Sequence, residues 1–166
     1  MDVENSDFLQ FVASAEKQQL EYMLVGGLAL LLNGAVRFTQ DADLWLQPTN
    51  VNKEKLLKVL QDLGYSQEDT AMIGLLDFTK PQIIRIDLGP IDIMTRVHFR
   101  FNYEDCRSRA QEFITKAGHR ICFIGINDLR EIKILARRPK DLNDVLMIDE
   151  VIEEKKRLGE NKTDNS

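Results

Sequence analysis

Long apolar runs are missing from this chain. No stretch approaches the roughly 18 apolar residues that a membrane-spanning helix needs, so no membrane span is expected. Cysteine is scarce: Cys106 and Cys122 stand alone, and their spacing fits neither a zinc site nor a redox motif. They read as ordinary buried or half-buried thiols. His98 and His119 lie far in sequence from any acid cluster and read as structural residues, not metal ligands. Internal repeats are absent. The opening "MDVENSD" is acidic and lacks an apolar signal core, so a cytoplasmic location is the expectation.

What is present suits one domain. The 166 residues are 43% hydrophobic and 30% charged, enough for a sizeable core under a well-solvated surface. We expect a single domain over residues 1–158, helical from about 127 to 158, and a flexible polar tail over 159–166. The net charge of −5 is unevenly spread. Residues 1–83 carry 6 Lys/Arg against 12 Asp/Glu, whereas residues 84–166 carry 16 against 15. Such a division suits an acidic metal site facing a phosphate-binding wall.

Hydrophobic periodicity and capping residues order the elements. Asn5, Ser6 or Asp7 caps a first helix running to about Gln18, with Phe8, Phe11, Val12 and Ala15 on one face. "EYMLVGG" reads as a strand ending in a glycine turn, and "LALLLNG" as a buried helix stopped at Asn33-Gly34. "FTQDADLWLQ" alternates as a strand. "TNVNKEKLLKVLQDLG" is a capped helix. "PQIIRIDL" and "IDIMTRV" form two strands turning at Gly89-Pro90. Residues 102–118 are expected to be helical, ending at Gly118; "RICFIG" is a short strand; two helices follow, with Pro139 near the start of the second. The fold class is α+β: a small mixed sheet flanked by helices, with a helical C-terminus.

One stretch stands out chemically. Asp41 and Asp43 sit two residues apart inside an apolar strand pattern. On a strand they share one face, while Ala42, Leu44 and Leu46 take the other. Two carboxylates this close repel unless a cation lies between them, and a hard divalent ion, Mg²⁺ or Mn²⁺, prefers such oxygens. Asp92, flanked by Ile91 and Ile93, is the candidate third carboxylate; Asp87 competes, although it shares a strand face with Arg85 and suits a local ion pair. Gly26-Gly27, between a strand and a helix, lets backbone approach a triphosphate closely, or is simply a tight turn. Trp45 shares the face of Asp43, where it either packs at the rim or stacks on a base.

In this order, the motifs resemble the nucleotidyltransferase fold shared with DNA polymerase beta. They are most similar to bacterial minimal nucleotidyltransferases and AbiEii-type toxin nucleotidyltransferases. The pattern GG-x-A followed by R-x-[ST]-x-D-[ILA]-D-L is met by Gly26, Gly27, Ala29, Arg37, Thr39, Asp41, Asp43 and Leu44. A second stretch, "DLREIKILARRPKDLNDV", resembles the family's C-terminal pattern through Lys133, Arg138, Lys140, Asp141, Leu142 and Asp144. The resemblance implies that Asp41, Asp43 and Asp92 are catalytic and hold Mg²⁺ or Mn²⁺. It implies nucleotide binding by Gly26, Gly27, Arg37, Thr39, Lys133 and Asp141.

Independently, Arg130, Lys133, Arg137 and Lys140 recur at helical spacing, a basic stripe if the helix continues through Pro139, and either a phosphate wall or a solvated face. The leading expectation is an enzyme that moves a nucleoside monophosphate from a nucleoside triphosphate to an acceptor hydroxyl on a tRNA, a partner protein or a small molecule. A toxin–antitoxin setting is implied by the resemblance. The alternative is a catalytically silent antitoxin or regulator on the same scaffold, and a weaker one pairs the aspartates with Arg37 and Arg85 in a purely structural module.

Overall fold

Strand β1 (Tyr22–Val25) is apolar at every position because it lies in the interior of a sheet, with a strand on each side. A computed structural model describes residues 2–86 and 90–163. Helix α1 (Ser6–Lys17) precedes β1, and the Asn5 side chain accepts from the N–H groups of Asp7 and Phe8 to cap it. Phe8, Phe11, Val12 and Ala15 are its buried face, as their spacing predicts. Helix α2 (Gly26–Leu32) starts directly from β1 and ends at Asn33, with Gly34 at φ +106° reversing the chain.

Strand β2 (Ala42–Leu46) is shorter than its alternation suggests, leaving residues 38–41 as an irregular approach. Helix α3 (Asn50–Asp62) is capped by Thr49. Helix α4 (Gln67–Gly74) was not anticipated, although Ser66 and Asp69 form a reciprocal capping box at its start. Strands β3 (Ile83–Ile86) and β4 (Ile91–Met94) make the expected antiparallel pair. The turn at Gly89, and with it Asp87, lies outside the described residues.

The expected helix over 102–118 is corrected. Helix α5 covers only Tyr103–Ser108, and residues Gln111–Ile114 form β5. Strand β5 pairs antiparallel with β6 (Arg120–Phe123), so Gly118, at φ +88°, belongs to a hairpin turn, not to a helix end. Helices α6 (Ile126–Ala136) and α7 (Pro139–Thr163) complete the fold, and α7 runs into the segment expected as a tail.

The six strands lie in the order β3-β4-β2-β1-β6-β5. β2 runs parallel to β4 and antiparallel to β1, and β1 runs parallel to β6, making the sheet mixed. Cross-strand partners share a face. One face is therefore apolar, built from Leu24, Leu44, Ala42, Ile91, Ile93 and Ile86. The opposite face carries one row across four strands, Val25, Asp43, Asp92 and Arg85. That row positions the site.

The junction of β1, β2 and α3 rests on one buried amide. Asn52 accepts from Glu21 N–H at 2.9 Å and donates to the carbonyls of Glu21 at 2.8 Å and Gln47 at 3.1 Å. Asn52→Ala is expected to destabilise the protein by about 1–3 kcal/mol, because buried backbone groups lose their partners. Urea denaturation measures this, and a change near zero would show that water replaces the amide. Neither cysteine forms a disulfide, and burial pushes both thiols up to about 11. Among the described residues, no helix is long and apolar enough to cross a membrane.

Candidate active site

The register of β2 against β4 places Asp43 beside Asp92, and that of β4 against β3 places Asp92 beside Arg85. Asp41 lies one residue before β2 and projects to the same side as Asp43. The Arg85 guanidinium donates to both oxygens of Asp92 at 2.9 Å and to Asp41 Oδ1 at 3.2 Å. Arg85 thus joins two of the three candidate carboxylates, while Asp87, its expected partner, lies outside the described residues. Among the described residues no three metal-ligating side chains are gathered into a ready-made cage. Asp43 and Asp92 stand side by side, and Arg85 spans from Asp92 to Asp41.

Asp43 is the most enclosed of the three. Burial, then repulsion from Asp92, pushes its carboxyl above the usual carboxylate range, while the charge of Lys133 and the N–H of Gly27 pull the other way. Gly26 lies directly against it at φ +66°, and a Cβ there would strike the Asp43 carboxylate. A Cβ on Gly27 would come 2.7 Å from the Thr39 side chain. The glycine turn thus makes room for Asp43 and Thr39 themselves, and its first job is to seat the acidic row. Gly26→Ala is expected to displace Asp43 and strain the turn, lowering nucleotide-dependent turnover by about tenfold or more, on the scale of a misplaced reacting group. A steady-state rate within twofold of wild type would sink that reading.

A second layer closes the site from the helical side. Lys133 Nζ, on α6, lies 3.0 Å from Asp141 Oδ1 and 2.8 Å from Asp144 Oδ2, both on α7. Arg138 donates to Asp141 at 2.6 and 3.2 Å, and Arg37 Nε meets Asp144 at 3.0 Å. Burial alone would push the Asp141 carboxyl up, but its bonds to Arg138 and Lys133 outweigh it and hold it below the usual range. The network ties the segment after α2, which also bears Thr39, to α6 and α7.

The continuous basic stripe is corrected here. Helix α6 stops at Ala136, and Arg137 takes a left-handed φ of +56°, so Arg130, Lys133, Arg137 and Lys140 do not share one helix face. Arg130 pairs with Asp149 across the two helices at 2.6 Å. Trp45 packs, with its N–H on the Thr95 carbonyl at 3.2 Å and its ring edge-on to Tyr103 at 5.4 Å.

All nine residues singled out from the sequence line one cavity of about 330 Å³: Gly26, Gly27, Arg37, Thr39, Asp41, Asp43, Asp92, Lys133 and Asp141. Arg138 and Lys140 add positive charge to its wall, while Leu129, Ile132, Met94 and Val97 supply apolar surface. Sequence reasoning gave Arg138 and Asp144 only a place in the quoted C-terminal motif, read Lys140 as part of a basic stripe, and read Arg85 as a local partner of Asp87 or, in the structural reading, of the aspartates. A larger groove of about 690 Å³ lies beside α3 and α4, with Leu60 and Ile86 in its wall. Its acid, Asp69, is committed to capping α4, so its chemistry is poorer than that of the smaller cavity.

No curated protein matches the chain significantly. Among solved structures it is similar to the lincosamide antibiotic adenylyltransferase LnuA in its lincomycin-bound form. The TM-score is 0.51 at 15% identity, over 91% of this chain and 99% of that one, which shows a shared fold. The family described as "Nucleotidyltransferase of unknown function (DUF6036)" matches residues 7–154, and with its acidic row and glycine turn on a nucleotidyltransferase fold the chain belongs to that family.

Proposed function

We propose that the protein is a metal-dependent enzyme that transfers a nucleoside monophosphate from a nucleoside triphosphate to an acceptor hydroxyl. The observation that carries this reading is the single cavity in which Asp41, Asp43 and Asp92 face the glycine turn and the cations of α6 and α7. The donor set fits Mg²⁺ or Mn²⁺: three carboxylates supply only hard oxygens, and a guanidinium already marks where positive charge is held between Asp41 and Asp92. Asp41, Asp43 and Asp92 would hold the ion. When bound, it would neutralise the polyphosphate and polarise the α-phosphate.

The chain's own groups do the rest. Arg138 and Lys140 face the triphosphate with positive charge, and Gly26-Gly27 lets it approach the acidic row. Arg37 and Thr39, held by the Asp144 contact and the turn, shape the opposite wall. Asp92 accepts the acceptor hydroxyl proton. The acceptor oxygen bonds to the α-phosphorus as the bond to the β-phosphate oxygen breaks, and pyrophosphate leaves.

LnuA is an antibiotic adenylyltransferase, and that likeness supports a small hydroxylated acceptor. The motif likeness to AbiEii-type toxins supports a tRNA or protein acceptor in a bacterial toxin–antitoxin pair within the cytoplasm. Incubation with each of the four triphosphates and Mg²⁺, followed by pyrophosphate assay and mass spectrometry of candidate acceptors, tests the proposal. Metal-dependent pyrophosphate release with a matching mass gain is the expected result. A second reading, a silent nucleotide-binding antitoxin or regulator, draws on the engagement of Asp92 and Asp41 by Arg85. Nucleotide binding without any pyrophosphate release would favour it.

A further inference from the structure

We infer that Arg85 is a resident counter-cation that occupies the metal-binding carboxylates until a nucleotide arrives, so that metal and nucleotide bind as a pair. The inference rests on the metal-dependent reading proposed above and concerns how that site is loaded. Its basis is geometric. Among the described residues Arg85 donates three bonds, two to Asp92 and one to Asp41, at 2.9, 2.9 and 3.2 Å. Those are oxygens that a divalent ion would need. A carboxylate lone pair that accepts a guanidinium N–H at this distance cannot also point at a cation. Each oxygen keeps a second lone pair, but a guanidinium charge already seated against Asp92 and Asp41 repels a second cation, so the ion and Arg85 compete for them.

The competition has a built-in release. Arg85 lies on β3, the edge strand of the sheet, and its side chain is about half exposed, so the guanidinium can swing away without disturbing the core. Displaced, it is a free positive charge at the mouth of the acidic row, and a polyphosphate is its natural partner. With nucleotide present, the ion takes the carboxylates and Arg85 takes the phosphates. Without nucleotide, the ion must displace Arg85 from the partners it has among the described residues. Metal affinity is therefore low alone and high with nucleotide, and by linkage the metal raises nucleotide affinity by the same factor. The neighbouring cation, Lys133, cannot take this part, because Asp141 and Asp144 hold it.

Electron paramagnetic resonance of free Mn²⁺ titrated against the full chain tests the inference. Wild type, Arg85→Gln and Arg85→Lys are compared, each with and without an equimolar mixture of the α,β-methylene analogues of the four triphosphates. Signals are corrected for Mn²⁺ held by nucleotide alone. Arg85→Gln is expected to bind Mn²⁺ alone about tenfold more tightly or better than wild type, since the competing charge-assisted bonds are gone. Nucleotide should raise Mn²⁺ affinity strongly in wild type and little in Arg85→Gln. Arg85→Lys keeps the charge and should lie between, which preserves the comparison if the glutamine variant folds poorly. Equal or weaker Mn²⁺ binding by Arg85→Gln, in a wild type that forms the ternary complex, overturns the inference alone. Failure of wild type to bind Mn²⁺ even with nucleotide overturns the metal-dependent reading and the inference with it.

Discussion

Lys133→Ala is expected to destabilise the protein by about 3–5 kcal/mol, the scale of breaking a buried ion pair from one side. The Lys133 side chain is 9% exposed, and its partners Asp141 and Asp144 are 0% and 1% exposed. Removing the ammonium leaves two buried carboxylates with only the more exposed Arg138 and Arg37 beside them. Against a typical domain stability of about 5–15 kcal/mol this is a large fraction. The pH dependence has a definite sign. Asp141 is held below the usual carboxylate range in the folded protein, so its contribution is full above the unfolded pKa and is lost as pH falls through the folded value. The gap between wild type and Lys133→Ala should therefore narrow on acidification. Arg137→Ala is the control: Arg137 is exposed and lies between the helices, so its loss should stay within about 0.5 kcal/mol. Urea denaturation of both variants at two pH values decides the matter. Similar midpoints for the two variants would return Lys133 to the solvated surface.

That expectation differs from what Lys133 implies in sequence, where it reads as a phosphate ligand on a basic stripe. Spacing alone could not show that Arg137 takes a left-handed conformation, nor that α7 folds back to aim Asp141 and Asp144 at the lysine. Both are consequences of the two-residue connection between α6 and α7. The local elements were legible where periodicity and caps agree, as in α1 and α3, or where an apolar run meets glycine, as in β1 and α2. The stretch after Tyr103 misled because Glu104 to Arg109 is a sound helix start, while the pairing that draws Gln111–Ile114 onto β6 is a tertiary demand. The acidic pair was legible because charge inside an apolar strand pattern is costly without a purpose. Pairing with Arg85 was only the weakest of the readings the sequence offered, and what could not be read was the geometry behind it. Arg85 reaches Asp92 and Asp41 because β4 lies between β2 and β3, and strand order is not written in any one segment.

Asp43→Asn should separate chemistry from folding. The substitution keeps the shape, and the amide oxygen still accepts from Gly27 N–H, so the glycine turn stays seated. Release of pyrophosphate should fall by at least about 10²-fold, the scale of one lost electrostatic contact in a transition state. Stability without metal should move the other way. Burial, and then Asp92, raises the Asp43 pKa in the folded protein, so the folded state holds its proton more tightly than the unfolded chain. Stability then declines as pH rises from the ordinary carboxylate pKa through the raised one, and above that window Asp43 is a net cost. Asparagine removes that cost, so the metal-free variant should melt at a higher temperature than wild type there and lose part of the decline across the window. Asp92→Asn gives the contrast. Asp92 holds Arg85 by two charge-assisted bonds, so its replacement should abolish turnover without the gain in melting temperature. Differential scanning calorimetry across pH, run beside the pyrophosphate assay, reads both effects. An Asp43→Asn protein that melts below wild type, or that keeps its turnover, would remove Asp43 from the acidic centre proposed here.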